Sequence, residues 1–324
     1  MANAWKRDKS PRFLSPIFLF FLFVFSILIL FFFLLGNSSP SDQSAPTFTI
    51  KPHYSFPTII SPFDCFKCPQ SYPVIANVVE GVRYPFLFSI ADLGNLPDKP
   101  HKNIVRMLKG KPFRKPGISV TIQEVLEKMK GRNSRDGFVV DVGANVGMAS
   151  FAAAAMGFRV LAFEPVFENL QRICDGIYLN RVGELVYVFQ AAASDSLGNI
   201  TVHKLVGRLD NSAVSATGAK LAFKSNEEIA VQVQSIPLDE VIPDSEQVLL
   251  IKIDVQGWEY HVLKGAKQIL SRKGTEAPYL IYEEDERLLK ASNSSKREIR
   301  EFLHSVGYHT CIQHGTDAHC TKTA

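Results

Sequence analysis

Short apolar runs separated by polar turns fill the C-terminal part of the chain, and residues 137–165 show the clearest pattern. An apolar, β-branched run over 138–142 predicts a strand, and a turn containing glycines follows it. Small residues over 148–156 predict a helix, and the apolar run over 160–163 predicts a second strand. This strand–loop–helix–strand unit is half of a nucleotide-binding α/β fold.

The loop after the first predicted strand carries candidate ligand-binding residues. Gly143 and Gly147 allow backbone N–H groups to approach a ligand, and Asn145 tolerates the left-handed backbone that such turns often need. Asp141 lies beside them at the strand end, and Glu164 ends the next strand. Because a carboxylate accepts several hydrogen bonds, Glu164 can bind both hydroxyls of a ribose.

The same loop does not fit the pattern for NAD. A dinucleotide-binding loop beginning at Gly143 would have glycine at positions 145 and 148, where the chain has Asn145 and Met148. Two of the three required glycines are missing, so an NAD(P)-dependent oxidoreductase is the weaker alternative.

The pattern Asp-x-Gly-x-Asn-x-Gly, with an acid at the end of the next strand, resembles motif I of class I S-adenosylmethionine-dependent methyltransferases. Glu164 matches the ribose-binding acid of that motif. A second block, LLIKIDVQGWEYHVLKGA over 249–266, together with AAASDS around Asp195 and VQVQSIPLDEVI near Leu238, resembles the FkbM family of methyltransferases. The resemblance covers residues 137–285.

This resemblance implies a Rossmann-like α/β fold, with a sheet of about seven strands and helices on both faces. It also implies S-adenosylmethionine as the cofactor. The implied cofactor-binding residues are Asp141, Gly143, Asn145, Gly147, Glu164 and Asp195. In such a sheet the third strand ends against the adenine, where Asp195 can accept a hydrogen bond from the exocyclic amine; a turn residue that bonds its own backbone is the alternative.

Further acids follow the later predicted strands. The run over 248–253 ends at Asp254, and the run over 279–282 is followed by Glu283 and Glu284. Ligands of parallel α/β sheets bind outside the carboxyl ends of the strands. We therefore expect Asp141, Glu164 and Asp254 at one edge of the sheet.

A hydroxyl acceptor of a methyl group needs alignment and a general base. Asp254 is a candidate base by its position, although it can instead anchor the methionine ammonium of the cofactor. His261 has the most suitable unperturbed pKa, but its helix is expected to face partly outward. Glu259 is a candidate that can instead orient the loop backbone, and Glu283 and Glu284 are further candidates. Beyond Asp254 no second element has ligand spacing, so no required metal is predicted.

The N-terminal segment predicts a membrane anchor. Residues 13–35 carry no charge, and at 1.5 Å per residue a helix of about 20 residues spans a bilayer core of about 30 Å. Basic residues precede this segment and none follow until Lys51. The positive-inside rule then places residues 1–12 in the cytosol and the domain in the lumen, as in a single-pass type II protein of the Golgi or endoplasmic reticulum. A signal peptide cleaved among residues 36–39 is the alternative.

Composition completes the organisation of the chain. Residues 1–12 contribute +3 of the formal net charge of +4, so nucleic-acid binding is not indicated. Residues 36–73 are rich in Pro, Ser and Thr and predict a stem; residues 74–136 predict a helical and loop region; residues 137–324 form the methyltransferase domain. The polar stretch over 207–220 predicts either a mobile substrate loop or a plain surface connection.

The five cysteines suit structural disulfides in an oxidising lumen. Cys65 with Cys68 and Cys311 with Cys320 are possible pairs, although the sequence does not choose the connectivity, and Cys174 is expected to be a free thiol. The sequence thus predicts a membrane-anchored methyltransferase that acts on the hydroxyl of a glycan or small molecule. A non-catalytic lumenal scaffold on the same fold is an alternative, and the sequence carries no signal for the oligomeric state.

Overall fold

The computed structural model describes residues 24–25, 59–71, 74, 76–90, 94–95, 99–100, 105, 109–110, 116–129, 137–221, 224 and 227–322. The chain divides into two units, Met1–Ser55 and Phe56–Ala324. In the first unit, Val24 and Phe25 are described, and both are helical. The rest of the predicted anchor over 13–35 lies outside the described residues, as does the predicted tail over 1–12. No helix of the described part combines the length and apolarity that crossing a bilayer requires.

The described residues of the second unit form fourteen strands. They are β1 (Ala76–Val79), β2 (Phe86–Ser89), β3 (Gly94–Asn95), β4 (Lys99–Pro100), β5 (Phe138–Val142), β6 (Arg159–Phe163), β7 (Val186–Phe189), β8 (Ala192–Ala193), β9 (Gly198–Leu205), β10 (Glu228–Ile236), β11 (Val248–Ile253), β12 (Tyr279–Glu283), β13 (Thr310–His314) and β14 (Asp317–Thr321).

The α-helices of the same described residues alternate with the later strands. They are α1 (Gly117–Met129), α2 (Met148–Ala154), α3 (Phe167–Asn180), α4 (Ala216–Lys220), α5 (Leu238–Val241), α6 (Glu259–Lys264), α7 (Lys267–Ser271), α8 (Glu286–Ala291) and α9 (Lys296–Ser305), with short 3-10 helices at Leu209–Asn211 and Gly274–Glu276.

A mixed seven-stranded sheet, ordered β13-β14-β12-β11-β5-β6-β7, forms the centre of this unit. The five strands from β12 to β7 are parallel, whereas β14 runs antiparallel to both β12 and β13. All five residues of β5 are buried, as expected for a central strand covered on both faces. The Rossmann-like sheet of about seven strands is confirmed, and the parallel strands bring their carboxyl ends to one edge.

A smaller sheet, ordered β8-β10-β9, lies next in the chain. Strands β9 and β10 pair antiparallel, with Ile200 opposite Val233 and Val202 opposite Val231. This pairing confirms the prediction from the alternating apolar positions in both segments. The 3-10 helix and α4 occupy the connection between these two strands.

The region over 74–136 differs from its prediction as a helical and loop segment. Its described residues include the antiparallel pair β1–β2, the short pair β3–β4 and the helix α1. Phe86 and Phe88 alternate along β2 and are both buried in the core, where Phe86 contacts Phe151 of α2. Period-two burial against the sheet helices stabilises strands here, and it depends on packing partners outside the segment.

The segment over 59–71 is bound to the domain rather than free of it. A disulfide joins Cys65 to Cys174 of α3, and the N–H of Phe63 donates to the carbonyl of Val188 in the edge strand β7 at 2.7 Å. The suggested Cys65–Cys68 pair is therefore wrong, and Cys68 rather than Cys174 is the free thiol. The partners are 109 residues apart in sequence, so local spacing does not reveal them.

The other suggested pair, Cys311 with Cys320, is confirmed. It links the neighbouring strands β13 and β14, where the two residues lie directly opposite each other.

We expect a non-reduced proteolytic digest of the protein to contain the Cys65 peptide covalently joined to the Cys174 peptide. Mass spectrometry before and after reduction measures this, with the Cys311–Cys320 link as the internal control. A peptide containing an internal Cys65–Cys68 bridge, with Cys174 free to react with an alkylating reagent, would contradict the connectivity.

Candidate functional site

A cavity opens at the carboxyl edge of the central sheet and encloses about 640 Å³ of space, part of which is open solvent. The cavity is bounded by the loops after β5, β6 and β11, by the start of α3, and by residues 209–214. The predicted loop over 207–220 therefore contributes to the cavity wall.

The loop after β5 has the left-handed backbone that the sequence predicts. Gly143, Asn145 and Gly147 have φ angles of +72°, +53° and +87°. A Cβ on Gly143 would lie 1.9 Å from the carbonyl oxygen of Asp254, so that position admits only glycine. The close approach of these two backbones brings the β5 and β11 loops together at the cavity, which both Gly143 and Asn145 line.

Asp141 lies beneath this loop and does not line the cavity. Its fully buried carboxylate accepts hydrogen bonds from the backbone N–H and hydroxyl of Ser150, at 3.0 and 2.7 Å, and pairs with the Nζ of Lys252 at 3.2 Å. The same Nζ donates to the carbonyl of Gly143 at 2.8 Å. Asp141 and Lys252 thus fix the base of the loop; direct contact between Asp141 and a cofactor stays a prediction.

The electrostatics of Lys252 follow from this pairing. Burial opposes its charge, but the Asp141 and Asp254 carboxylates outweigh that effect and raise the Lys252 pKa. Sequence reasoning missed this residue. The signal was present, because Lys252 is the single charged residue in the otherwise apolar strand β11.

Glu164 lines the cavity and is 4% exposed. Its Oε2 accepts the N–H of Asn145 at 2.8 Å, and its Oε1 accepts the N–H of Val166 at 3.0 Å and the Nδ2 of Asn169 at 3.3 Å. Burial raises the pKa of Glu164 to about 7, against the opposing effect of these hydrogen bonds. Its position at the cavity is compatible with the predicted ribose-binding role, which stays a prediction.

The loop after β11 forms the opposite side of the cavity. Asp254 is exposed at its start, and the side-chain Nε2 of Gln256 donates both to Asp254 Oδ1 at 2.9 Å and to Glu283 Oε2 at 3.0 Å. Asp254 and Gln256 line the cavity. Burial, and then the charge of Asp254, raises the pKa of Glu283 well above its usual range. Asp254 and Glu283 therefore both accept from the Gln256 amide at the mouth of the cavity, and Glu283 keeps its proton to a higher pH than an ordinary glutamate.

Glu259 orients this loop rather than facing the cavity. Its buried Oε1 accepts the N–H groups of Val255 and Gly257 at 3.0 and 3.1 Å. Burial raises the pKa of Glu259 to about 7. The structure places this carboxyl group in the backbone-orienting position that the sequence offered as the alternative to catalysis.

Asp195 and His261 lie together outside the residues that line the cavity. His261 Nδ1 is 2.9 Å from Asp195 Oδ2, and Lys264 Nζ is 2.5 Å from the same oxygen. The His261 ring stacks on Trp258, which does line the cavity and donates to Ser194 Oγ at 3.1 Å. The adenine contact of Asp195 and the base role of His261 stay predictions that this arrangement does not favour.

Glu284 also points away from the cavity. It forms a two-pronged ion pair with Arg300, at 2.5 and 2.8 Å, and accepts the hydroxyl of Tyr282. These contacts join β12 to α9. Among the described residues, no group of three or more His, Cys, Asp or Glu side chains is arranged to hold a metal ion.

The family model of the methyltransferase FkbM domain matches residues 141–310, which include the loops after β5, β6 and β11. The chain belongs to the FkbM methyltransferase family. It is accordingly an S-adenosylmethionine-dependent methyltransferase, and the oxidoreductase alternative is set aside. No curated protein is significantly similar to the chain in sequence.

Several solved structures similar to this FkbM-family chain are methyltransferases by name. A precorrin-6y C5,15-methyltransferase from Geobacter metallireducens GS-15 is 16% identical with a TM-score of 0.36, over 65% of this chain and 90% of that chain. The N-terminal domain of human METTL16, in complex with S-adenosylhomocysteine (SAH), is 12% identical with a TM-score of 0.35, over 67% and 76%. At these TM-scores the likeness adds nothing to the family assignment.

The cavity of this FkbM-family chain has acceptors that suit its cofactor. The Oδ1 atoms of Asn145 and Asn169 are buried without a hydrogen-bond partner, and both residues line the cavity. With Glu164 they supply hydrogen-bond acceptors for the hydroxyl groups of a ribose. Gly143, Asn145 and Glu164 are the residues that would hold the cofactor, over the base formed by Asp141 and Lys252.

We expect the affinity for SAH to rise as the pH increases from about 6 to about 8. The pKa of Glu164 is about 7 in the free protein, and hydroxyl donors favour its ionised form, so binding lowers this pKa and releases a proton. Calorimetry in two buffers with different ionisation enthalpies measures the release. Proton uptake, or an affinity that does not change with pH, would contradict the prediction, and Glu164→Gln is the control that should remove the pH dependence.

Proposed function

We propose that this protein transfers a methyl group to a hydroxyl of a glycan or small molecule in the lumen of the secretory pathway. The observation that carries the proposal is the carboxylate of Asp254 at the mouth of the cofactor cavity. A hydroxyl acceptor needs a base as it attacks, and an acidic side chain at the mouth supplies one. A neutral amine acceptor would need no base there.

Asp254 is the best candidate base. Of the five candidate bases predicted from the sequence, it alone lines the cavity. Glu259 accepts from loop N–H groups, and His261 stacks on Trp258 outside the cavity. When bound, S-adenosylmethionine would supply an electrophilic methyl group, with S-adenosylhomocysteine as the leaving group. Asp254 Oδ2 would accept the proton of the acceptor hydroxyl.

Gln256 and Glu283 orient that carboxylate. The Gln256 amide holds Asp254 Oδ1, which leaves Oδ2 for the acceptor, and the raised pKa of Glu283 keeps a second negative charge away from the same amide. Gln256 itself has a φ of +54°, a strained conformation for a non-glycine residue. The Glu259 carboxyl group stabilises it through the N–H groups on either side.

The lumenal location is also part of the proposal. The uncharged segment over 13–35, with basic residues before it, favours a type II anchor. The two disulfides of the domain support an oxidising compartment. Protease protection of microsomes tests this directly: digestion of the domain in intact vesicles would place it in the cytosol and overturn the lumenal assignment.

The proposed reaction is tested with the full-length chain, radiolabelled S-adenosylmethionine and a panel of neutral oligosaccharides and small hydroxyl compounds. We expect label in an alkali-stable ether, and Asp254→Asn should lower kcat about 10²–10⁴-fold while leaving SAH affinity unchanged. Label in an amine or a carboxylate ester would overturn hydroxyl methylation. Cofactor binding without transfer to any hydroxyl acceptor would favour the scaffold alternative.

A further inference from the structure

The cavity wall around Glu164 offers hydrogen-bond acceptors to a ligand, whereas its donors described below are engaged in hydrogen bonds within the protein. The N–H groups of Asn145 and Val166 both donate to Glu164. The amide Nδ2 of Asn169 donates to Glu164 Oε1 at 3.3 Å and to the carbonyl of Leu209 at 3.5 Å. A ligand group placed against this wall must therefore bring its own donors.

Asn169 is the more informative of the two asparagines with unpartnered oxygens. It is 2% exposed, it lines the cavity, and its Oδ1 has no hydrogen-bond partner. The orientation of its amide is set by its neighbours, because a rotated amide would direct its carbonyl at the Glu164 carboxyl group and the Leu209 carbonyl. A buried acceptor without a partner costs about 1–3 kcal/mol, and a donor from a ligand removes that cost.

We propose that the Oδ1 of Asn169 accepts a hydrogen bond from one of the two ribose hydroxyls of the cofactor, beside the hydroxyl that Glu164 accepts. The Nδ2 of Asn169 is hydrogen-bonded to Glu164, so the two acceptors are neighbours. Two ligand donors that reach them must also lie close together on the ligand. A vicinal diol has two neighbouring hydroxyl donors and fits this pair of acceptors. The inference rests on S-adenosylmethionine as the cofactor and adds a residue of α3 to its site.

Asn169 would also couple the cofactor to the wall that faces it. The contact of its Nδ2 with Leu209 reaches the 3-10 helix Leu209–Asn211, which bounds the same cavity. The Nδ2 of Asn211 in turn lies 3.5 Å from the Oε1 of Gln256 in the loop after β11. One side chain on α3 therefore connects the ribose subsite with the segment that leads to the Asp254 mouth.

The test measures binding rather than turnover. Calorimetry with the full-length chain compares SAH with its 2′-deoxy and 3′-deoxy analogues, for the natural protein and for Asn169→Ala. We expect Asn169→Ala to weaken SAH about 10-fold, as for a lost hydrogen bond between neutral groups that leaves a ligand donor unpaired. For one of the two deoxy analogues the same substitution should change affinity less than about 2-fold, since that ligand already lacks the donor.

Two further variants sharpen the result. Gln171→Ala lies on the same helix but contacts Pro69 rather than the cavity, and it should bind all three ligands as the natural protein does. Asn169→Asp keeps an oxygen at the proposed position, so it should retain the preference for SAH over the same deoxy analogue. This variant decides the question if Asn169→Ala does not fold.

The proposal is overturned if Asn169→Ala weakens all three ligands equally, because Asn169 then acts only by positioning Glu164. It is also overturned if SAH affinity does not change, or if Asn169→Asp loses the preference between SAH and both deoxy forms. A natural protein that binds no SAH would overturn the cofactor assignment itself, which distinguishes that failure from the failure of the Asn169 contact.

Discussion

Glu164→Ala is expected to weaken SAH binding at least about 100-fold. Hydrogen bonds to a charged group contribute about 1.5–3 kcal/mol each, and the substitution removes the acceptor of a ribose hydroxyl. It also leaves the N–H groups of Asn145 and Val166 without the carboxyl group that they now share. Calorimetric titration of the purified full-length chain with SAH measures the effect.

A conservative substitution and a control substitution test whether the lost carboxylate causes the weaker SAH binding. Glu164→Gln keeps the size of the side chain but replaces one acceptor oxygen by an NH2 group, so it cannot accept from both N–H groups and a hydroxyl, and we expect an intermediate loss of about 10-fold. Glu301→Ala removes an exposed acid of α9 that pairs with Arg297 and should leave SAH affinity unchanged. SAH binding by Glu164→Ala at the natural affinity would remove Glu164 from the cofactor site.

Lys252→Met is expected to lower the free energy of unfolding by about 3–5 kcal/mol, because breaking a buried ion pair leaves the other charge uncompensated. The charge left behind is the carboxylate of Asp141, a fully buried residue of β5 that accepts hydrogen bonds from Ser150 in α2. The substitution also frees the Gly143 carbonyl, so the cofactor loop should loosen and SAH affinity should fall. Urea unfolding followed by circular dichroism measures the stability.

The double variant Asp141→Asn/Lys252→Met separates the charge from the packing. Replacing both members of a buried pair is often near neutral, so the double variant should recover most of the stability that the single variant loses. Lys290→Met is the matched control, since Lys290 is an exposed lysine paired with Glu286 and should change stability by less than about 0.5 kcal/mol. Equal losses in the single and double variants would show that the ion pair is not the cause.

These predictions distinguish two groups of residues at one site, those that face the cavity and those that hold its loops. Glu164 and Asn169 face the cavity, whereas Asp141, Lys252 and Glu259 hold the loops that shape it. Substitutions in the first group should act mainly on ligand affinity. Substitutions in the second group should change both affinity and stability, because these side chains hold the loops through buried hydrogen bonds and an ion pair.

The strand ends that carry the chemistry could be read from the sequence. Continuous apolar runs marked β5, β6 and β11, and acids at or after those runs placed Glu164 and Asp254 at the edge where parallel strands end. This information is local, because a buried parallel strand needs apolar residues on both faces and its loop begins where they stop. The left-handed turn at Gly143 and Asn145 is local for the same reason, since few residue types adopt that backbone.

Only the tertiary structure shows which of these residues face the cavity. Asp141 turns beneath its loop because Lys252, from a strand far along the chain, lies beside it in the sheet. His261 leaves the site because its ring stacks on Trp258, and Cys174 pairs with Cys65 because the segment over 59–71 packs against α3. By itself, the sequence determined the fold, the cofactor and the edge of the sheet where the cavity lies. Side-chain orientation within that edge required contacts between residues far apart in sequence, which local periodicity does not encode.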